Sequence, residues 1–89
     1  MHPQKELVNS FWGQLAKIKE VMKIFAERLK ELREEKGLSQ VELAKAVDLG
    51  KSSIAHWEIS DRVPNAEAVV VLAKYFKVST DYLLGLSNE

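Results

Sequence analysis

The sequence predicts an all-α fold, a five-helix bundle with an additional N-terminal amphipathic helix. Apolar residues recur at spacings of three and four along much of the chain, which is the period of a helix. Good N-cap residues, among them Ser39 and Asn65, precede several of these runs. The 89 residues are 46% hydrophobic and 29% charged, which is typical of one small globular domain.

The N-terminal segment, residues 1–23, carries an apolar stripe formed by Val8, Phe11, Leu15, Ile18 and Met22. The stripe continues in heptad phase through Phe25, Leu29 and Leu32, which predicts one long helix whose inner half packs its own domain. We expect the outer half, with Trp12 beside the stripe, to form a homodimer with a second copy. The alternatives are a turn near residues 21–23 that folds the segment back, or a disordered segment.

The first helix of the domain itself is expected over residues 24–36, with Gly37 as its left-handed C-terminal cap. A second helix follows, because Ser39 and Glu42 match a capping box. Its apolar positions are Val41, Leu43, Ala44 and Val47. Asp48 and Gly50 then tolerate left-handed backbone, which favours a tight turn.

A third helix, over residues 51–59, can begin after Gly50, which is an acceptable N-cap. It turns Ile54 and Trp57 inward and leaves small and polar residues on its outer N-terminal half. Bulky side chains there would hold a helix off the base edges, so this face suits the DNA major groove. A helix-turn-helix docks in this way, with its second helix reading the bases.

The remaining elements are a linker over residues 59–64 and two further helices. Asn65 caps a helix over residues 66–76, and its expected core positions are Val69, Leu72, Ala73 and Phe76. Ser79 caps a fifth helix that ends at Gly85. The domain is expected over residues 24–86, followed by a frayed tail over residues 87–89.

Several short motifs lie in register across this domain. They are Leu38-Ser39-Gln40, Leu43-Ala44, Ser53-Ile54, Trp57-Glu58, Arg62-Val63-Pro64, Leu72-Ala73, Val78-Ser79 and Asp81-Tyr82-Leu83-Leu84-Gly85. Together they resemble the phage-repressor-like (lambda-repressor-like) helix-turn-helix family. The resemblance implies a homodimeric transcriptional repressor or regulator that binds double-stranded DNA at a two-fold operator. It also implies a partly buried ion pair between Arg33 and Glu58, where the sequence alone suggests a solvated Arg33.

On this resemblance we expect the DNA-binding residues to be Gln40, Lys51, Ser52, Ser53, Ala55, His56 and Arg62. Lys51 and Ser52 open the recognition helix and should lie closest to the base edges. Gln40 and the N-terminus of its helix should face one phosphate, and Arg62 another. His56 has no carboxylate partner evident in the sequence, so we expect a weak base or phosphate contact or an exposed helix residue.

The charge balance favours an alternative to DNA binding. Thirteen basic and thirteen acidic residues cancel, whereas a DNA-binding domain usually has a basic excess. Asp61 occupies a position where a basic residue is frequent in the family, and it would face the DNA backbone with the wrong sign. The alternative is a protein-interaction module, antitoxin-like or anti-repressor, that keeps the fold without binding DNA.

The composition and motifs argue against several other classes of function. The sequence has no cysteine, which excludes disulfides and thiolate zinc sites, and its two histidines argue against a metal site. No apolar run approaches the roughly 20 residues of a membrane span, and no signal-peptide pattern is present. We see no nucleophile–base pair, carboxylate pair or phosphate loop. We therefore expect a cytoplasmic protein that is not an enzyme and has no cofactor, membrane partner or small-molecule ligand.

Overall fold

The computed structural model of the chain describes residues 3–88, with the side chains of residues 3–12, 14 and 15 left outside the description. Five helices follow one another without a strand in this range: α1 (Pro3–Glu35), α2 (Gln40–Val47), α3 (Lys51–Glu58), α4 (Ala66–Phe76) and α5 (Thr80–Leu83). The predicted all-α class is confirmed. The additional N-terminal helix and the first helix of the domain are one element, α1.

Helix α1 is continuous across residues 21–23, so the alternative of a turn at that place is wrong. The reason is local, because no proline or glycine interrupts residues 14–36 and most residues there favour helix. At about 1.5 Å per residue the helix is roughly 50 Å long. The longest dimension of the molecule is 54 Å. Of the predicted dimerisation residues, the side chains of Val8, Phe11, Trp12 and Leu15 lie outside the described residues.

The hydrophobic core lies between the C-terminal half of α1 and the four shorter helices. Its buried members are Phe25, Ala26, Leu29, Leu43, Ala44, Val47, Ile54, Trp57, Ala68, Val69, Leu72, Ala73, Phe76 and Leu83. Phe25 meets the edge of Trp57 with ring centroids 6.2 Å apart, which packs α1 against α3. The apolar stripe of α1 therefore enters the core from Phe25 onward, as its heptad phase predicts.

The helix caps follow the sequence closely. Ser39 Oγ accepts from the Glu42 N–H at 3.0 Å, and the Ser39 N–H donates to Glu42 Oε1 at 2.8 Å, which completes the capping box. Asn65 Oδ1 accepts from the Ala68 N–H at 2.8 Å at the start of α4. Ser79 Oγ accepts from the Tyr82 N–H at 2.9 Å at the start of α5. These bonds explain why α2, α4 and α5 begin at the expected residues.

The C-terminal residues Ser87 and Asn88 lie beside α1. Arg28 on α1 donates to the backbone oxygens of Tyr82 and Ser87, the second at 2.8 Å, and to Asn88 Oδ1 at 3.4 Å. Its guanidinium also lies over the Tyr82 ring, 4.2 Å from the centroid. Ser87 and Asn88 thus contact α1, Glu89 lies outside the described residues, and the fraying expected for residues 87–89 stays a prediction. Backbone carbonyls brought together by the fold leave no pattern in the sequence.

No helix within residues 3–88 is both long enough and apolar enough to cross a membrane.

Candidate nucleic-acid interface

The turn between α2 and α3 is built from backbone that few residues adopt. Asp48 caps α2 in the left-handed region, with φ 56° and ψ 44°, and its N–H donates to the Ala44 and Lys45 carbonyls. The Leu49 N–H donates to the Ala44 carbonyl at 2.9 Å, which closes the turn. Gly50 is the N-cap of α3 in extended backbone and provides no side-chain cap. The tight turn predicted for residues 48–50 is therefore present.

Buried residues of both helices fix α2 and α3 to each other and to the core. Leu43 and Ile54 are fully buried, and Trp57 is 7% exposed. This burial accounts for the inner face of α3, so the opposite face is the one available to a ligand. Lys51 and Ser52, at its N-terminal end, are exposed.

The other predicted DNA-binding residues lie on α2, on α3 and in the segment after α3. Ser53, Ala55 and His56 are half-buried along α3, and Gln40 is the first residue of α2. Arg62 is exposed in the segment that follows α3. The fold thus brings residues 51–56 together on one short helix.

A polar network holds the C-terminal end of α3 against α1. Arg33 Nε and Nη2 donate to Glu58 Oε2 and Oε1 at 2.6 Å and 2.9 Å, forming a bidentate ion pair between α1 and the end of α3. Arg33 Nη1 donates to the Leu38 carbonyl at 2.7 Å. The side chains are only 12% and 4% exposed. The hydrogen bond to Glu58 is the main cause that raises the pKa of Arg33 above its usual value, against the opposing effect of burial.

Gln40 joins this network through a contact that the sequence did not predict. Its Nε2 donates to Glu58 Oε1 at 3.2 Å, so one N–H of the side-chain amide is directed at the carboxylate. The expectation that this amide is aimed at phosphate alone is therefore incomplete. One carboxylate, that of Glu58, thus holds together the start of α2, the end of α3 and the C-terminal end of α1. The sequence carries the three residue types but no spacing that indicates a shared bond.

The sequence also did not predict a second side-chain pair, which His56 forms with Asp61. His56 Nδ1 lies 2.8 Å from Asp61 Oδ2, and the two side chains are 34% and 56% exposed. The chain reverses between them at Ser60, whose φ is 61°, and the Asp61 N–H donates to the His56 carbonyl at 2.9 Å. His56 therefore has a carboxylate partner, contrary to the expectation from the sequence. The negative charge of Asp61 lies beside α3.

Two packed helices joined by a tight turn, the second with an exposed N-terminal face, define a helix-turn-helix protein. Residues 29–83, more than half of the chain, match the family described as Helix-turn-helix, so the chain belongs to that family. This confirms the resemblance to lambda-repressor-like proteins on which the expected site was based.

Three relatives illustrate the similarity. The uncharacterized HTH-type transcriptional regulator YobD of Bacillus subtilis is 33% identical over 66 residues, which is 74% of this chain. The HTH-type transcriptional regulator ImmR of the same organism is 37% identical over 59 residues, 66% of this chain. Repressor protein C2 of Salmonella phage P22 is 34% identical over 61 residues, 68% of this chain. The matched regions cover 59%, 46% and 28% of these relatives, respectively.

Proposed function

We propose that the chain binds double-stranded DNA sequence-specifically and regulates transcription, with α3 in the major groove. The observation that carries this proposal is the exposed N-terminal half of α3, held rigid from behind by Ile54, Trp57 and the Arg33–Glu58 pair. A helix positioned in this way can meet base edges without ordering its own backbone first. The names of the relatives, transcriptional regulators and a phage repressor, support the same function.

In this proposal the site residues divide into two groups. Lys51 and Ser52 reach base edges, and a lysine there donates to guanine O6 or N7. Ala55 contacts a thymine methyl or leaves clearance for the helix. The remaining residues, Gln40, Ser53, His56 and Arg62, position the protein on phosphates, with His56 also able to touch a base.

The proposal predicts that the affinity for DNA depends only weakly on salt concentration. Exposed basic groups on this face are few, with Lys51 on α3, Arg62 after it and Lys45 on α2. The number of phosphates neutralised sets how steeply affinity falls with salt, so we expect a log–log slope of only about 3–5 per half-site. Titrations of a fluorescent duplex at several salt concentrations measure this slope, and a slope near 10 contradicts the proposed footprint.

Two substitutions separate positioning from base recognition. Arg62→Ala should weaken binding to all sequences alike, because a phosphate contact carries no sequence information. Lys51→Ala should flatten the preference at one base position while leaving the others. Lys74→Ala is the matched control, because Lys74 is an exposed basic residue on α4, away from the turn. Selection from a random duplex pool, followed by sequencing of the bound fraction, provides both readouts.

The second candidate function, a protein-interaction module without DNA binding, is favoured by one charge observation. Residues 24–89 hold nine Lys and Arg against eleven Asp and Glu, a net charge of −2. The His56–Asp61 pair also places a carboxylate beside the recognition helix. Failure of every duplex in the pool to bind at low salt would establish this second function over the first.

We further propose that the DNA-binding form is a homodimer and that residues 1–23 hold it together. Residues 16–20 of α1 are all exposed, and Ile18 within them is 48% exposed. Two reading heads about 34 Å apart are needed for a two-fold operator. Deletion of residues 1–20, or changing Leu15 and Ile18 to Glu, should give a folded monomer with much weaker binding. Sedimentation showing a monomeric full-length chain at high micromolar concentration contradicts this.

A cytoplasmic location and the absence of catalysis remain predictions that follow from this proposed role.

A further inference from the structure

The residues that end α3 form a hydrogen-bonded cap that ties Asp61 to His56. The Asp61 N–H donates to the His56 carbonyl at 2.9 Å, and the Ser60 N–H donates to the Trp57 carbonyl at 3.1 Å. With φ 61° at Ser60, these two bonds form the Schellman motif, a cap in which the chain turns through one left-handed residue. The motif brings the side chain of its last residue, Asp61, against that of His56, and such a contact is usually apolar.

In this cap the side-chain contact is polar instead. His56 Nδ1 lies 2.8 Å from Asp61 Oδ2, so the same two residues are joined through their backbones and through their side chains. Because the backbone bond already holds the residues side by side, the side-chain bond has little further ordering to impose. The other carboxylate at this end of α3, that of Glu58, accepts from Arg33 and Gln40. Asp61 is therefore the carboxylate that orients the His56 ring.

The second ring nitrogen of His56, Nε2, is open to solvent. Among the groups that the structure describes, Nε2 has no hydrogen-bond partner, whereas every buried side-chain nitrogen or oxygen has one. Nε2 is therefore not buried. Ser52 lies four residues earlier on the same face of α3 and is exposed. Since side chains on a helix lean toward its N-terminus, the ring lies on the side of Ser52, which is proposed above to reach base edges.

We propose that Asp61 fixes the tautomer of His56 and thereby makes His56 a reader of an exocyclic base amine, N6 of adenine or N4 of cytosine. An ionised carboxylate only accepts hydrogen bonds, so the proton between the two side chains belongs to Nδ1. In a neutral imidazole the other nitrogen, Nε2, is then an acceptor. Asp61 acts through His56 and is a positioning residue. The inference rests on the DNA-binding function proposed above and adds the kind of base group that His56 recognises.

This tautomer predicts a particular kind of base preference. In the major groove adenine and cytosine present an amine, whereas guanine and thymine present a carbonyl oxygen. An acceptor at Nε2 therefore separates A and C from G and T at the base that it meets, without distinguishing A from C. A phosphate also only accepts hydrogen bonds, so it has no proton to receive from this tautomer. The negative charge of Asp61 beside the ring further disfavours a phosphate but not a neutral base edge.

Nitrogen NMR on the free, full-length chain tests the tautomer without DNA. Long-range proton–nitrogen spectra distinguish a protonated ring nitrogen from a bare one, and His56→Gln identifies which of the two histidines gives each signal. A pH titration in the same experiment locates the neutral form of the ring. In that form we expect the Nδ1–H tautomer of the unmodified chain to exceed the Nε2–H tautomer by at least about five-fold, because a hydrogen bond to a charged group favours it.

Two substitutions of Asp61 separate its charge from its role as an acceptor. Asp61→Asn removes the charge but keeps an oxygen that accepts from Nδ1, so the tautomer should be retained. Asp61→Leu removes both and leaves an apolar contact of the kind usual in this cap. In Asp61→Leu we expect the Nε2–H tautomer to predominate, as it does in a histidine side chain free in water.

Selection from a random duplex pool then tests the base contact. The position at which His56→Ala loses its preference is the one that His56 meets. At that position the unmodified chain and Asp61→Asn should favour A or C over G or T by about three- to ten-fold, the effect of one neutral hydrogen bond. Asp61→Leu should lose or reverse this preference, because Nε2 then donates. Replacing the selected base by its analogue without the amine should weaken binding of the unmodified chain by a similar factor and leave His56→Ala unaffected.

Three results overturn the inference. They are a predominant Nε2–H tautomer in the unmodified chain, a preference for G or T or none at the His56 position, and an unchanged preference in Asp61→Leu. If Asp61→Leu does not fold, as judged by circular dichroism, the spectra and the selection with the unmodified chain still decide. Failure of every duplex to bind at low salt refutes the proposed DNA-binding function itself. The NMR measurement needs no DNA, so the two failures are distinguishable.

Discussion

Replacing Glu58 by glutamine tests how α3, the proposed recognition helix, is held in place. The side chain is 4% exposed and accepts from Arg33 twice and from Gln40 once. Glutamine keeps the shape but loses the charge, and its amide N–H₂ must face a donor. Removing one partner of a buried pair costs about 3–5 kcal/mol, against less than about 1 kcal/mol for an exposed pair. Arg33 keeps the Leu38 carbonyl and is 12% exposed, so we expect a loss of about 2–4 kcal/mol.

Urea unfolding followed by circular dichroism measures this loss. With a denaturant slope of about 1–3 kcal/mol per molar, the midpoint should fall by roughly 1–3 M at unchanged slope. The matched control is Glu27→Gln, because Glu27 is an exposed acidic residue on α1, and its effect should stay within about 0.5 kcal/mol.

A double substitution makes the test sharper. Arg33→Met in the Glu58→Gln background removes the guanidinium left without its charge partner, so part of the lost stability should return. If the Glu58→Gln midpoint equals that of the Glu27→Gln control, the carboxylate does not hold α3, and the proposed rigid support of the DNA-binding face is refuted.

Three further predictions follow from single contacts. Gly85→Ala should cost about 1–3 kcal/mol in urea unfolding, because its φ is +80° and a Cβ would lie 2.8 Å from Ile24 Cδ1; an unchanged midpoint contradicts this. Hydrogen bonds at the N-cap of α2 hold the pKa of Glu42 below its usual 4.5, so their stabilisation is present above that pH and lost on acidification. Thermal unfolding of Glu42→Gln should therefore depend less on pH below about 4.5, and an unchanged acid dependence contradicts the cap. Asp61→Asn should strengthen binding to all duplexes alike, since it removes a negative charge beside His56, and an unchanged dissociation constant argues that this edge lies off the DNA.

Helix boundaries were predictable from the sequence because the physics that sets them is local. Ser39 and Asn65 have short side chains that reach a backbone N–H three residues on, so each marks the start of a helix wherever the chain folds. Asp48 tolerates the left-handed backbone that ends α2 for an equally local reason. The apolar stripe likewise predicted that α1 is unbroken.

Contacts between distant residues were predictable only in part. The Arg33–Glu58 pair was expected from a family resemblance rather than from any spacing. The bonds from Gln40 to Glu58 and from Arg28 to the C-terminal residues depend on where the helices cross, which no periodicity encodes. The His56–Asp61 pair depends on a positive φ at Ser60, a conformation that a serine does not usually adopt.

Because α1 is one continuous helix, it keeps its two ends at a fixed distance and rotation from each other. Phe25 and Leu29 anchor one part of the helix in the core, and the helix runs without a break to Ile18, which lies beyond the core and is 48% exposed. Whatever holds the stripe is therefore fixed in distance and rotation relative to α3. One inserted residue before Phe25 would turn the stripe by about 100° and separate its two halves. In the proposed homodimer, seven inserted residues would restore the phase but move each α3 by about 10 Å along the axis from the dimerising segment, so the length of this helix would select the spacing of the DNA sites that the dimer can span.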